Sequence, residues 1–433
     1  MIFQAQAGMI SDILNIYKII LSFWWILVPA ALFFVLRWIW LIYIRNKFLD
    51  GLSWIMLELK FPRDTTKTPK AMEQFFNALH ATQKKIKFKD KYLKGEIPSW
   101  FSIEIVGRGG MIYIFIRTQA KFKDLVEASL FAQYPDAEIQ EVEDYIYELP
   151  PGIPNDEYDL WGTELILTQP DAYPIRTYPY FFQEKEAEER TDPLAGLFEF
   201  LISLGPKEHG WIQILVSAEG DDWKKDGEKL VAKILGKEVK SSKGGGSLII
   251  KETVGWIEAF WKGITDFLTG FSEQKSAEEK KEVKDVIAYL SPGQKEVVSA
   301  VEANIAKLGF KTMIRYMYWG HKDVFNKDKV SAFGGYFTQF NTQNLNGFKP
   351  NKKITTVPGK IFKKSSELKK KRFFVGMYKR RFFPFARFKA RGFVFNTEEL
   401  ATIFHIPTKF VKIAKLPIVE AKKGSPPSTL PTI

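Results

Sequence analysis

No cysteine occurs anywhere in the 433 residues, and there are only four histidines. The first absence excludes disulfides, Cys-based zinc sites, iron–sulfur clusters and thiol nucleophiles. His80, His209, His321 and His405 lie far apart, and none has a second His or a carboxylate at metal-ligand spacing. HExxH and GxSxG are missing. So is the phosphate-cradling pattern G-x-x-x-x-G-K-[ST]: Gly359-Lys360 lacks the upstream glycine and is followed by isoleucine. The sequence therefore predicts a chain without a catalytic site and without cofactor or metal. An enzyme assembled from dispersed residues ranks last among the alternatives.

What is present is a core-forming composition, 45% hydrophobic, with length for roughly two to three domains. The net charge of +13 is unevenly spread. From Lys349 to Arg391 there are sixteen Lys/Arg against one acid, Glu367, and the remainder of the chain is close to neutral. The cations Lys369, Lys370, Lys371, Arg372, Lys379, Arg380, Arg381, Arg387, Lys389 and Arg391 interleave with Phe362, Phe373, Phe374, Tyr378, Phe382, Phe383, Phe385, Phe388 and Phe393. Cations for phosphates beside aromatics for stacking suit single-stranded nucleic acid, DNA included. The same mixture suits anionic lipid or an acidic protein. The plainer alternative is a solvated basic helix whose Phe residues pack on their own domain.

One long apolar run stands out, Ile19 to Ile44, interrupted by Arg37. At 1.5 Å per residue it reaches about 39 Å as a helix, against a hydrocarbon core of about 30 Å. Trp24 and Trp25 toward one end, and Trp38, Trp40 and Tyr43 toward the other, suit interfacial aromatic belts, and Pro29 at most kinks the helix. The run predicts one transmembrane helix. Cations follow it at Arg45, Lys47, Lys60, Arg63, Lys67 and Lys70, which by the positive-inside rule predicts a single-pass inner-membrane protein with its N-terminus outside and its later domains in the cytoplasm.

Past the run, WIMLELKF (54–61) alternates like a strand, and Thr68-Pro69 opens a helix with Met72, Phe75, Phe76 and Leu79 on one face. Strands at 100–106 and 111–117 flank a glycine-rich hairpin, a helix covers 121–133, and a strand covers 137–142. The order β-α-β-β-α-β predicts a ferredoxin-like unit. A second α/β unit is expected from strands at 163–168, 211–218 and 311–319 with helices at 193–204, 291–308 and 329–341. The expected fold is thus α+β: a transmembrane anchor (1–50), a ferredoxin-like domain (51–150), and a second such unit (151–345) with a flexible insertion at about 236–285. A basic aromatic segment (346–394) and a C-terminal helix with a Pro-rich tail (395–433) complete it. Within the insertion, Trp256 to Phe271 repeat at helical spacing, more in keeping with a packed helix than with one lying on a membrane.

Three stretches carry a resemblance: LELKFPRDTTKTPKAMEQFFNAL (57–79), the pair IEIVGRGGMIYIFIR and FAQYPDAEIQEVEDY within 103–145, and FNTEELATIFHIP (395–407) followed by Ser425-Pro426-Pro427-x-x-Leu430-Pro431. Together they resemble the membrane-anchored N-terminal region found beside or fused to bacterial type IV secretion and conjugation ATPases of the HerA/FtsK kind. The motor's P-loop is missing. The resemblance implies a non-catalytic inner-membrane subunit in contact with the lipid bilayer, docking a separately encoded cytoplasmic P-loop ATPase of a DNA or protein translocation system. It makes Glu398, Glu399, Leu400, Phe404, His405 and Pro407 the candidate docking residues. A homo-oligomer matching a ring-shaped motor is implied by analogy only. The alternative is a membrane-bound nucleic-acid-binding module acting without a motor.

Overall fold

The computed structural model describes residues 24–61, 67–182, 192–235, 290–359, 362–381, 383 and 392–407. The helix expected at 254–271, the proline-rich tail, and the basic residues Arg387, Lys389 and Arg391 lie outside them.

Nine strands among the described residues form one antiparallel sheet. They are β1 (Trp54–Lys60), β2 (Phe101–Arg108), β3 (Met111–Gln119), β4 (Glu138–Val142), β5 (Tyr158–Leu167), β6 (Glu208–Ala218), β7 (Gly309–His321), β8 (Phe348–Pro350) and β9 (Phe393–Asn396). The order is β4-β1-β3-β2-β6-β7-β5-β8, with β9 pairing the start of β7 along the edge that β5 occupies further on. Strands do form close to where the periodicity places them, but their assembly differs from the expectation. Two small ferredoxin-like units are not what forms. Instead β2 and β6 pair over eight residues, from Phe101↔Val216 to Arg108↔His209, so the hydrogen bonding runs unbroken across the molecule. Joining the two edges in this way removes two exposed strand edges, each a row of unpaired backbone groups.

Helices cover both sheet faces. On one lie α2 (Lys70–Leu79), α3 (Lys123–Gln133), α4 (Ala195–Ile202), α7 (Lys329–Thr338) and α9 (Thr397–Ile403), packed on Leu57, Ile103, Ile114, Ile212, Ile214 and Tyr316. Because side chains alternate along a strand, Met56, Phe115, Trp211, Leu215, Met313 and Met317 face the other way, where α8 (Lys363–Arg380) covers them with Phe374 and Tyr378. A smaller cluster joins α5 (Asp222–Ile234) to α6 (Pro292–Ile305) through Val231, Val301 and Ile305.

The expected membrane span is corrected. Among the described residues no helix is long and apolar enough to cross a membrane. The single-pass inner-membrane placement that rested on it is withdrawn with it. Ile19 lies outside the described residues, and the helix α1 runs from Trp24 to Asp50. Arg37 breaks its apolar stretch, and Arg45 and Lys47 follow inside the same helix. Its second half is tied to protein: Leu41 and Ile44 are buried, Arg37 donates to the Tyr92 hydroxyl (3.1 Å), and Trp40 Nε1 donates to the Tyr92 carbonyl (2.9 Å). Gly95 closes this contact. Its φ of +68° is left-handed, and a Cβ there would stand 2.5 Å from the Ile44 carbonyl, so only glycine fits. Trp25, Trp38 and Trp40 are exposed, and Pro29 sits inside the helix.

Candidate nucleic-acid interface

Four neighbouring strands place a row of polar residues into the apolar face under α8. Glu104 on β2, Gln213 on β6, Arg315 on β7 and Glu164 on β5 are direct cross-strand partners, so they line up in a row across the sheet. All four are buried. Gln213 Nε2 donates to Glu104 (3.3 Å), Arg315 Nη1 donates to Gln213 Oε1 (3.1 Å), and Arg315 Nε donates to Glu164 (3.1 Å). Burial raises the Glu164 carboxyl above its ordinary value, with Arg315 pulling it back. Burial likewise lowers Arg315, with Glu164 opposing.

The row receives the C-terminal end of α8, where a helix leaves carbonyls to be satisfied from outside. The Tyr378 carbonyl accepts from Gln213 (3.1 Å), the Met377 carbonyl accepts from Arg315 (3.4 Å), and the Arg381 carbonyl accepts from Trp100 Nε1 (2.6 Å). Arg381 itself turns inward from a left-handed backbone conformation (φ 48°). It donates to Glu104 through Nε (2.7 Å) and Nη2 (3.0 Å), and to Asp144 through Nη1 (2.6 Å) and Nη2 (2.8 Å). Burial works against its charge, but the Glu104 and Asp144 carboxylates lift it well above the ordinary arginine value. Such forked, charge-assisted bonds fix geometry as well as energy. Midway along the helix, Phe374 lies on Gly162 of β5, where a Cβ would come within 2.3 Å of the ring. Lys371 is buried between Asp159 (2.6 Å) and Glu367 (2.9 Å).

The basic segment therefore divides. Lys371 and Arg381 are spent inside the fold. Lys370 is half-buried and donates to the Val357 carbonyl (3.0 Å). Lys369, Arg372, Lys379 and Arg380 are exposed, as are Phe362 and Phe373. Positions 369, 372, 376, 379 and 380 fall on one helical face. They form a basic ridge about 16 Å long on a helix that cannot roll, because its opposite face is fixed by the contacts above.

The candidate docking segment is placed differently from the expectation. Asn396 and Glu399 form a capping box at the start of α9: the Asn396 side chain accepts from Glu399 N (2.8 Å), and Glu399 accepts from Asn396 N and from Ile175 N (both 3.0 Å). Glu399, Leu400, Phe404 and His405 are fully buried. His405 Nε2 lies 3.0 Å from Asp192. Burial pushes the Glu399 carboxyl up to about 8. Only Glu398, ion-paired to Lys307, and Pro407 retain solvent access. Glu399, Leu400, Phe404 and His405 thus build the core and do not present a surface.

Sequence reading missed the residues that seat α8. A signal was available: Ile-Glu-Ile (103–105), Ile-Gln-Ile (212–214) and Ile-Arg-Tyr (314–316) each set one polar residue inside an apolar strand. Read strand by strand, each passes for the polar phase of a half-exposed strand.

Residues 50–415 match the family described as domain of unknown function DUF8128, and the chain belongs to it. No curated protein matches the chain.

Proposed function

We propose that this chain is a non-catalytic binding module for single-stranded nucleic acid. The observation that supports it is the immobilised ridge of α8, where Lys369, Arg372, Lys379 and Arg380 stand around the exposed Phe373. Cations on a rigid mount lose little side-chain and backbone freedom when they meet phosphates, and an aromatic among them offers a base a stacking surface. The test is fluorescence anisotropy with a labelled single-stranded oligonucleotide across a salt series. Four cations at about −0.7 each give a log–log slope near −3. The combined variant K369Q/R372Q/K379Q/R380Q loses most of the affinity and flattens the slope while melting like the parent. A slope near zero in the parent chain removes the proposal.

A second reading rests on the resemblance, in which the chain docks a separately encoded P-loop ATPase of a translocation system. It is favoured by one feature: the segment resembling the motor-proximal region, 395–407, is built into the sheet and ends at the half-exposed Pro407. With Glu399, Leu400, Phe404 and His405 in the core, contact with a motor falls to Glu398, Pro407 and residues beyond. Co-purification of a P-loop ATPase, lost on removal of 408–433, supports this reading. Removing 396–433 does not test it, because that deletion takes out core.

A further inference from the structure

Beside the C-terminal end of α8 lies a cleft of about 290 Å³ lined by Asn46, Leu49, Trp54, Trp100, Arg117 and Arg380. It meets the lower end of the size range for small-ligand sites. Its walls combine Leu49, Trp54 and Trp100 with the polar Asn46 and the two arginines. The Trp54 and Trp100 rings sit 4.7 Å apart, and Arg117 lies over Trp54 with its guanidinium carbon 4.2 Å from the ring centroid.

The charge is what sets this cleft apart. Among the described residues neither Arg117 nor Arg380 makes an ion pair. The acids closest to Arg117 in its electrostatic surroundings are Glu104 and Asp144. Arg381 already holds both through four hydrogen bonds. Arg117 is half-buried, with the like-charged Arg381 nearby. Burial and then the Arg381 charge push it down to about 10. Partial burial without a counter-charge disfavours the cation, so an anion entering the cleft would offset that cost.

We infer that this cleft binds a phosphate oxyanion, with the Arg117 and Arg380 guanidinium groups as its two forks and Trp54, Trp100 and Leu49 as an apolar wall for the group that carries it. Two unpaired guanidiniums call for a dianion. A phosphate monoester carries about −1.5 to −2 at neutral pH, whereas a single carboxylate leaves one cation uncompensated. Arginine's planar fork pairs with phosphate through two parallel bonds, which a lysine at the same place does not reproduce.

The test uses the whole chain and calorimetric titration with three probes: adenosine monophosphate, inorganic phosphate and adenosine. The monophosphate binds and adenosine does not. Tighter binding of the monophosphate than of inorganic phosphate assigns an organic phosphate, and equal binding assigns the free ion. Arg117→Gln and Arg117→Lys each weaken the monophosphate at least tenfold, as does Arg380→Gln, while Lys225→Gln on α5 leaves it unchanged. Arg380 is exposed, so its variant carries the test if Arg117→Gln fails to fold. Oligonucleotide binding by the α8 ridge persists in Arg117→Gln, which separates this site from that reading. The inference is overturned if neither phosphate probe binds at millimolar concentration, or if the Arg117 and Arg380 variants bind the monophosphate as tightly as the parent chain does.

Discussion

Arg381 shows how one side chain decides what a segment can do. Composition places it among sixteen cations and marks it as a surface contact. In the fold its guanidinium makes four hydrogen bonds to Glu104 and Asp144, and its carbonyl accepts from Trp100. Arg381→Met leaves Glu104 buried without its partner and costs about 3–5 kcal/mol. Adding Glu104→Gln recovers part of that, because the unpaired charge goes with it. Denaturant titration of the two single variants and the double checks this, and additive losses would show that the pair is not coupled. His209 gives a pH-dependent counterpart. It stacks on Trp319 with centroids 3.8 Å apart, and burial, helped by the nearby Arg108, pushes it down to about 4. The unfolded chain takes up this proton near pH 6.5, and the folded chain only near 4. Stability is therefore fully present above about pH 6.5 and declines as pH falls toward 4. His209→Phe keeps the stack and removes this slope, to be read from melting temperatures between pH 4 and 7.

At the scale of elements, α8 carries the proposed function, and its seat on the sheet makes that seat testable. Gly162→Ala drives a methyl into the Phe374 ring. We expect a loss of about 1–3 kcal/mol in thermal or denaturant unfolding, the range for overpacking a core. Oligonucleotide affinity falls with it, since a displaced helix no longer presents its ridge as one surface. An unchanged melting temperature would mean the ring swings clear and the helix is less firmly seated than the geometry indicates. Local periodicity recovered much at this scale. The apolar face of α2 and the hairpin at Gly109-Gly110 follow from 3.6-residue spacing and positive-φ glycines, encoded within a few residues, whereas the cap expected from Thr68 does not form: α2 starts at Lys70 after Pro69 with no side-chain cap bond. The mean character of α8 as basic was equally plain. Which of its cations point outward was not, because Lys371 and Arg381 are buried by partners at 159, 104 and 144, far off in the chain.

At the scale of the whole molecule, β9 and α9 close the fold from its C-terminal side. Phe393 and Phe395 pack with Phe348, and Leu400 and Phe404 are fully buried. Removing residues from 393 onward therefore abolishes cooperative unfolding, which circular dichroism during a melt will show. A native-like melt of that truncation would place the core elsewhere. The continuous sheet also explains why two units were expected where one assembly stands. The β2–β6 seam joins residues more than a hundred positions apart, and no window of sequence contains it. The sign was indirect: β6 is buried along almost its whole length on both faces, as a central strand must be.

By itself the sequence determined β1 to β7 and the helices α2, α3, α4, α6 and α7 near their observed places, but not α5, α8, β8 or β9. It also determined the concentration of positive charge in one segment and the exclusion of cysteine chemistry and of a P-loop, since each depends on residue type and short-range spacing. Only the tertiary structure decided the joining of both halves into one sheet, the burial of the segment expected to dock a motor, and the division of the basic segment into a lock and a ridge. Those outcomes depend on which distant carboxylates, carbonyls and strand edges meet, and that is settled by packing in three dimensions.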